Sequence, residues 1–196
     1  LHEEGIVIAP TFIVKSGLVQ QEILENLLAS IPTSNQLRGD FAAQMSANRT
    51  GLARVLDLLM SMGIDKYKNS LIELNDYAER IAASTLARIP RGQYRFEDYL
   101  DDDGLGNTDL RICVCITVAA DSVNVDFGGT TLQTSGNVNC PISVAAAGVF
   151  YVFRCLMPSH TPNCEGSLRR INIRAEPGSL LNARRPAAVA AGNVET

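Results

Sequence analysis

Residues Val123–Asn139 read VNVDFGGTTLQTSGNVN. The stretch opens as a strand, with apolar Val123, Val125 and Phe127 alternating with Asn124 and Asp126. It then turns on Gly128 and Gly129, followed by Thr130 and Thr131. A strand ending in Asp, paired Gly and Thr is one way to wrap a nucleotide's phosphates. That device needs a second acidic, glycine-rich strand turn downstream. The only downstream candidate, EPGSLLNARRP, has neither the Asp nor the paired Gly. Two uses remain open. The glycines, Asn137 and Asn139 precede an apolar helix near Cys140, and a helix N-terminus favours an anion such as a carboxylate or phosphate. Equally, Asp126 and the Asn side chains can bond backbone N–H groups and simply hold a turn.

The surroundings set the fold class. Upstream of Pro90 the pattern is helical. SGLVQQEILENLLASI carries a stripe of Leu18, Ile23, Leu24, Leu27, Leu28 and Ile31, with Ser16 as its expected cap and Pro32 past its end. A second helix is expected over about Arg38 to Met62, stopped by Gly63. A third starts near Asp65, with Tyr67, Leu71, Leu74, Ala78 and Ile81 as its inward face. Three amphipathic helices with short joints imply an antiparallel helical layer over 1–90. After Pro90 the period changes. RGQYRFEDYL, DLRICVCITVAA and SVNVDF read as strands, the last two joined by a tight Ala-Asp-Ser turn. CPISVAAAGVFYVFRCLM reads as a buried helix near 141–157, and SLRRINIRAEPG as a final strand. The fold class is therefore α+β, with a mixed β region over 91–196, the two parts forming one piece of a larger domain.

Composition excludes several functions. The 196 residues are 46% hydrophobic and 19% charged, a globular balance. The net charge of −4 argues against nucleic acid as a partner. No apolar run reaches the ~18 residues of a membrane span. Cys113, Cys115, Cys140, Cys155 and Cys164 are an odd number without a dense framework, so reduced thiols and a cytoplasmic location are expected. Cys113 and Cys115 face the same side of one strand, without the spacing of a metal knuckle. Eight acids and two arginines give residues 95–126 a net −6, and residues 167–196 carry +3. Such blocks solvate a surface or meet a neighbouring chain.

Three further stretches bear on chemistry. YLDDDGLGNTDL fails as a calcium loop, because Tyr99 and Leu110 fall where ligands are required. An acidic turn is the expectation. In GDFAAQMSAN the residues Asp40, Gln44 and Asn48 recur every fourth position and share one helix face, lining a pocket wall or meeting water. SHTPNCEGSLRR makes a turn through Pro162, Asn163 and Gly166, and its single His160 is a weak case for a ligand.

Taken in order, GDFAAQMSANRTG, IPRGQYRFEDYLDDDG, VNVDFGGTTLQTSGNVNCP, TPNCEGSLRRINI and EPGSLLNARRPAAVAAGNVET resemble the hydantoinase B/oxoprolinase family. The resemblance covers nearly the whole chain. It implies an internal fragment of the B component of an ATP-dependent cyclic-amide hydrolase that opens hydantoin or 5-oxoproline rings. An A-type ATPase subunit or domain binds the ATP and activates the substrate. Related ATP-dependent ketone carboxylases are the neighbouring alternative, and a purely structural assembly segment is the third. The family's His- and Asp-rich metal motif lies upstream of this chain, and neither His2 nor His160 matches it. The resemblance thus implies no cofactor bound here, a divalent metal held by absent upstream residues, an oligomeric complex and an inactive isolated fragment. It places Asp40, Gln44 and Asn48 on one wall of the substrate pocket. Asp126, Gly129, Thr130, Asn137 and Asn139 line the other, with Asn163 and Gly166 as weaker candidates. It names no nucleophile or base. Cys164 departs from the small residue expected at its position.

Overall fold

A computed structural model describes residues 8–29 and 34–195. They form two compact units that divide between Asn69 and Ser70. His2, Ile31, Pro32 and Thr196 lie outside the described residues.

The first unit opens with a small hairpin, β1 (Val14–Lys15) against β2 (Leu18–Val19). Its turn is Ser16-Gly17, with φ of 51° and 79°. Two consecutive positive φ angles match the right-handed twist of a two-residue hairpin. Ser16 therefore does not cap a helix, as its sequence context predicted. Helix α1 (Gln21–Ala29) starts later, on the Gln20 carbonyl, which accepts the Leu24 N–H at 3.1 Å. Leu24 and Leu28, one turn apart, are its buried residues. Helix α2 (Ser34–Met62) is held to α1 by the Arg38 guanidinium, which donates twice to Glu25 at 2.8 Å. It ends at Gly63, whose φ of +79° suits a left-handed cap and whose N–H reaches the Leu59 carbonyl at 2.9 Å. Helix α3 (Ile64–Leu86) follows at once and carries the chain across the division into the second unit.

The second unit is a four-stranded sheet of order β3-β4-β5-β6. Strands β3 (Gly92–Asp102), β4 (Thr108–Val118) and β5 (Val123–Asp126) form an antiparallel meander. The β4–β5 turn is the expected one, closed by the Ala119 N–H on the Ser122 carbonyl at 2.9 Å. Helix α4 (Ile142–Leu156) then leads to β6 (Ile171–Arg174), which pairs with β5 in parallel. The expected α+β architecture is present, with a single βαβ step set into it. The last strand is shorter than SLRRINIRAEPG suggests, because Ser167 ends a 3₁₀ turn and residues 168–170 continue turning before β6 begins. A short helix α5 (Gly192–Glu195) closes the chain.

Alternation gives the sheet one apolar and one polar face. Val118, Val123, Val125 and Ile171 pack with Ala82 and Leu86 of α3 and with Phe153 and Met157 beyond. Two expectations about burial are corrected here. Leu71 and Leu74 were predicted to face inward, yet each is 43% exposed. The buried residues of α3 are Ala78, Ala82, Thr85 and Leu86, where short side chains bring the helix close to its neighbours. Helix α4 matches its predicted span but is not buried all round. Ala145 and Phe153 are covered, whereas Tyr151 is 72% exposed and Val152 59%. A helix lying on one sheet hides only the stripe that meets it.

Candidate functional site

The polar face of the sheet is built from ladder rows. Arg95, Cys115, Asp126 and Arg174 stand directly opposite one another across all four strands. Glu97 pairs with Cys113 in the next row and Tyr99 with Arg111 beyond it. Residues aligned across a ladder point to the same face, so these side chains share one surface. Of these, Arg95, Glu97, Arg111, Cys113, Cys115 and Asp126 line a cleft of about 790 Å³ with Gln93, Gly128 and Gly129.

The Asp-Gly-Gly turn forms the cleft's end wall. Asp126 Oδ1 accepts the Gly128 N–H at 2.9 Å, and its Oδ2 accepts Arg174 at 3.0 Å. Gly129 has φ +89°, which disfavours any side chain there. Thr130 is buried behind the turn. Its hydroxyl accepts the Cys113 N–H at 3.1 Å and donates to the Cys113 carbonyl at 3.2 Å. The turn thus bonds to itself and to β4, which is the second of the two uses open from sequence. Arg111 donates to the Gly129 carbonyl at 3.1 Å and lies 3.6 Å from Glu97.

The remaining predicted site residues are placed as follows. Asn139 is fully buried. Its Oδ1 accepts the Thr134 N–H at 2.7 Å, and its Nδ2 donates to the carbonyls of Thr134, Gly136 and Ala188 at 3.1, 2.8 and 2.9 Å. Asn137 is exposed, and its carbonyl accepts the Ala191 and Gly192 N–H groups. It borders a separate depression of about 410 Å³ shared with Tyr99–Gly104. Gly166 is buried against α3. Its N–H donates to Asn75 Oδ1 at 2.7 Å, and an added Cβ would collide with the Asn75 backbone. Asn163 and His160 are exposed. Asp40, Gln44 and Asn48 are exposed along α2, in the first unit.

Alternation could have found what the sequence reading missed. Gln93, Arg95 and Glu97 occupy every second position of β3, as do Arg111, Cys113 and Cys115 of β4. Two strands read with period two put these six residues on the same face as Asp126.

The acidic knot is a turn, as expected. Asp103 is buried, and its carboxylate accepts the N–H groups of Leu105 and Asn107 and the Asn107 side-chain amide at 2.9, 3.1 and 2.6 Å. The Asn107 amide and these backbone donors hold its pKa down at about 2. Among the described residues no three His, Cys, Asp or Glu side chains converge to hold a metal ion, so these residues do not fit one. No described helix is long and apolar enough to cross a membrane.

A sequence profile of the hydantoinase B/oxoprolinase family matches residues 1–196. The chain is 30% identical to the 5-oxoprolinase of Saccharomyces cerevisiae, over all of this chain and 16% of that protein. It is 27% identical to the B subunit of a putative D-/L-hydantoinase from a Pseudomonas species, over 95% of this chain and 33% of that one. It thus spans only a minor part of the relatives it matches. The fold superimposes on the ATP-dependent caprolactamase of Pseudomonas jessenii with a TM-score of 0.88 at 26% identity, over 97% of this chain and 33% of that one. An acetone carboxylase shares the fold at 14% identity, with a TM-score of 0.84. The profile spans all 196 residues, relatives and fold agree with it, and the chain belongs to the hydantoinase B/oxoprolinase family.

Proposed function

We propose that this chain is a segment of the B component of an ATP-dependent cyclic-amide hydrolase. The observation that carries the reading is the end-to-end family match, joined to close superposition on an ATP-dependent caprolactamase. In this reading an A-type subunit or domain uses ATP to activate the amide oxygen, and the B component completes the ring opening in the cytoplasm. Phosphorylating an amide oxygen makes the carbonyl carbon more electrophilic. A site lined by fixed donors then stabilises the charge that develops on attack. The cleft on the polar sheet face is where such donors gather, from Arg95 and Arg111, beside the Gly128-Gly129 turn. Asp126 and Gly129 meet the substrate there. Thr130, Asn139 and Gly166 act one step back, by holding the walls in place. Asp40, Gln44, Asn48, Asn137 and Asn163 are assigned to further walls of the complete enzyme's pocket. Any divalent metal is held by residues of the complete enzyme and not by these.

The test is ATP turnover by the complete B component with its A-type partner. 5-Oxoproline, a hydantoin, and acetone with bicarbonate are supplied in turn. Phosphate release stimulated by a cyclic amide, with ring opening, is the expected result. Stimulation only by the ketone with bicarbonate would move the protein to carboxylation.

A further inference from the structure

One guanidinium of the polar sheet face has no carboxylate of its own. Arg95 and Arg111 line the cleft with Glu97 and Asp126, and Arg174 stands beside Asp126 on β6. Arg174 is taken by Asp126 at 3.0 Å. Arg111 lies 3.6 Å from Glu97 and also donates to the Gly129 carbonyl. Glu97 in turn accepts a long 3.4 Å bond from the Tyr99 hydroxyl. Arg95 meets no carboxylate among the described residues. Its one side-chain bond is a 3.2 Å donation to the neutral Gln93 Oε1, from the next position along the same face of β3. Gln93 and Arg95 both line the cleft. A guanidinium fork steadied from one side by an amide, with its other donors facing open volume, is suited to bidentate capture of a planar oxyanion.

We propose that Arg95, oriented by Gln93, is the specificity-determining anchor of this cleft, and that it takes the carboxylate of a small cyclic amide that bears one. The proposal rests on the hydrolase reading for the cyclic-amide part and on the cleft's geometry for the carboxylate. Charge favours such a ligand over a neutral one. A carboxylate completes the pairing of the sheet face, whereas a neutral lactam or a ketone leaves Arg95 unmatched. The cleft volume of about 790 Å³ holds a ring of five atoms with room for the activated oxygen.

The test is titration of the complete B component, followed by amide NMR, with 5-oxoproline and with 2-pyrrolidinone, the same ring without the carboxylate. Inorganic phosphate and acetate are titrated separately. Expected are shifts at Arg95, Gly128 and Gly129 with 5-oxoproline, and binding at least tenfold weaker for 2-pyrrolidinone. Arg95→Gln weakens 5-oxoproline binding at least tenfold, and Arg95→Lys weakens it by a smaller factor because the charge stays while the fork is lost. Arg88→Gln, at an exposed arginine outside the cleft, binds like wild type. Circular dichroism confirms that each variant is folded. Equal binding of the two lactams, undiminished binding by Arg95→Gln, or no shift with 5-oxoproline overturns the proposal. Phosphate binding more tightly than any carboxylate overturns its ligand class. The two readings fail separately. Turnover of cyclic amides by the complete complex, without carboxylate binding here, sinks the anchor alone. Carboxylate binding without turnover of any cyclic amide sinks the hydrolase reading alone.

Discussion

At the scale of single residues, buried polar groups are sharper tests than exposed charges. Asn139 satisfies one N–H and, with the two hydrogens of its amide shared among them, three carbonyls from inside the molecule. Removing its amide strands those groups away from water, at about 1–3 kcal/mol for each that finds no substitute. Asn139→Ala should therefore cost about 3 kcal/mol in urea unfolding. A loss below ~1 kcal/mol would mean that water replaces the amide. Asp103 gives a pH signature. Its folded pKa of about 2 lies below the ordinary 3.8. Its contribution is thus fully present above about pH 4 and is lost as pH falls through about 2. Wild type should lose stability over that window, and Asp103→Asn should be less stable above it but flatter across it. Urea midpoints at pH 2, 3 and 5 compare the two slopes. Parallel slopes would remove Asp103 as the cause.

At the scale of elements, what the ladder shows is not all energetic. The Arg174–Asp126 pair joins β5 to β6, yet its side chains are 69% and 38% exposed. Exposed pairs contribute about 0–1 kcal/mol, so Arg174→Ala should change stability by less than ~1 kcal/mol. Phe153 is buried where α4 meets the sheet. Phe153→Ala should cost about 3–5 kcal/mol by the same assay. Reversal of that order would place the stability of β6 in its charges and not in the core.

Legibility in the sequence follows the same division. Helix α4 and the β4–β5 turn were readable because their signals are local, a long apolar run and a short polar break. The hairpin at Ser16-Gly17 was not, since Ser before an apolar helical stripe is also a good cap and only the backbone angles decide. The exposure of Leu71 and Leu74 was hidden because a helical stripe identifies a face without identifying what covers it. In the site, Asp126 and Gly129 were legible from turn chemistry. Arg95 and Arg111 were within reach of the period-two reading of β3 and β4, but which strand lies beside Asp126 is set by the ladder and not by local sequence.

At the scale of the whole molecule, burial is uneven. Among the described residues of the first unit, the buried hydrophobic side chains are Leu24 and Leu28. The second unit holds the remainder of the core, around Val123, Val125 and Phe153. Local opening is easiest where few apolar contacts hold a segment. Amides of α2 should therefore exchange with solvent well before those of β4, β5 and the Ala78–Leu86 end of α3. Exchange followed by mass spectrometry reads this directly, and equal protection of α2 and β4 would contradict it.

The ladder also sets an order of events in time. Strands β3 and β4 are joined by a turn of a few residues and pair through register-neighbours from Asp102↔Thr108 outward. Such a hairpin zips from its turn, in about 1–10 µs for short examples. The parallel pairing of Asp126 with Arg174 closes 48 residues, with all of α4 inside the loop. Loop closure of that length is paid before any contact rewards it, so β6 docks late. A chain leaving the ribosome therefore carries Arg95 and Cys115 in register on a finished hairpin, while the fourth position of their row is still unmade. Until residue 174 emerges, Asp126 lacks the guanidinium that neutralises it, and the nascent cleft has a charge pattern different from the one it will keep.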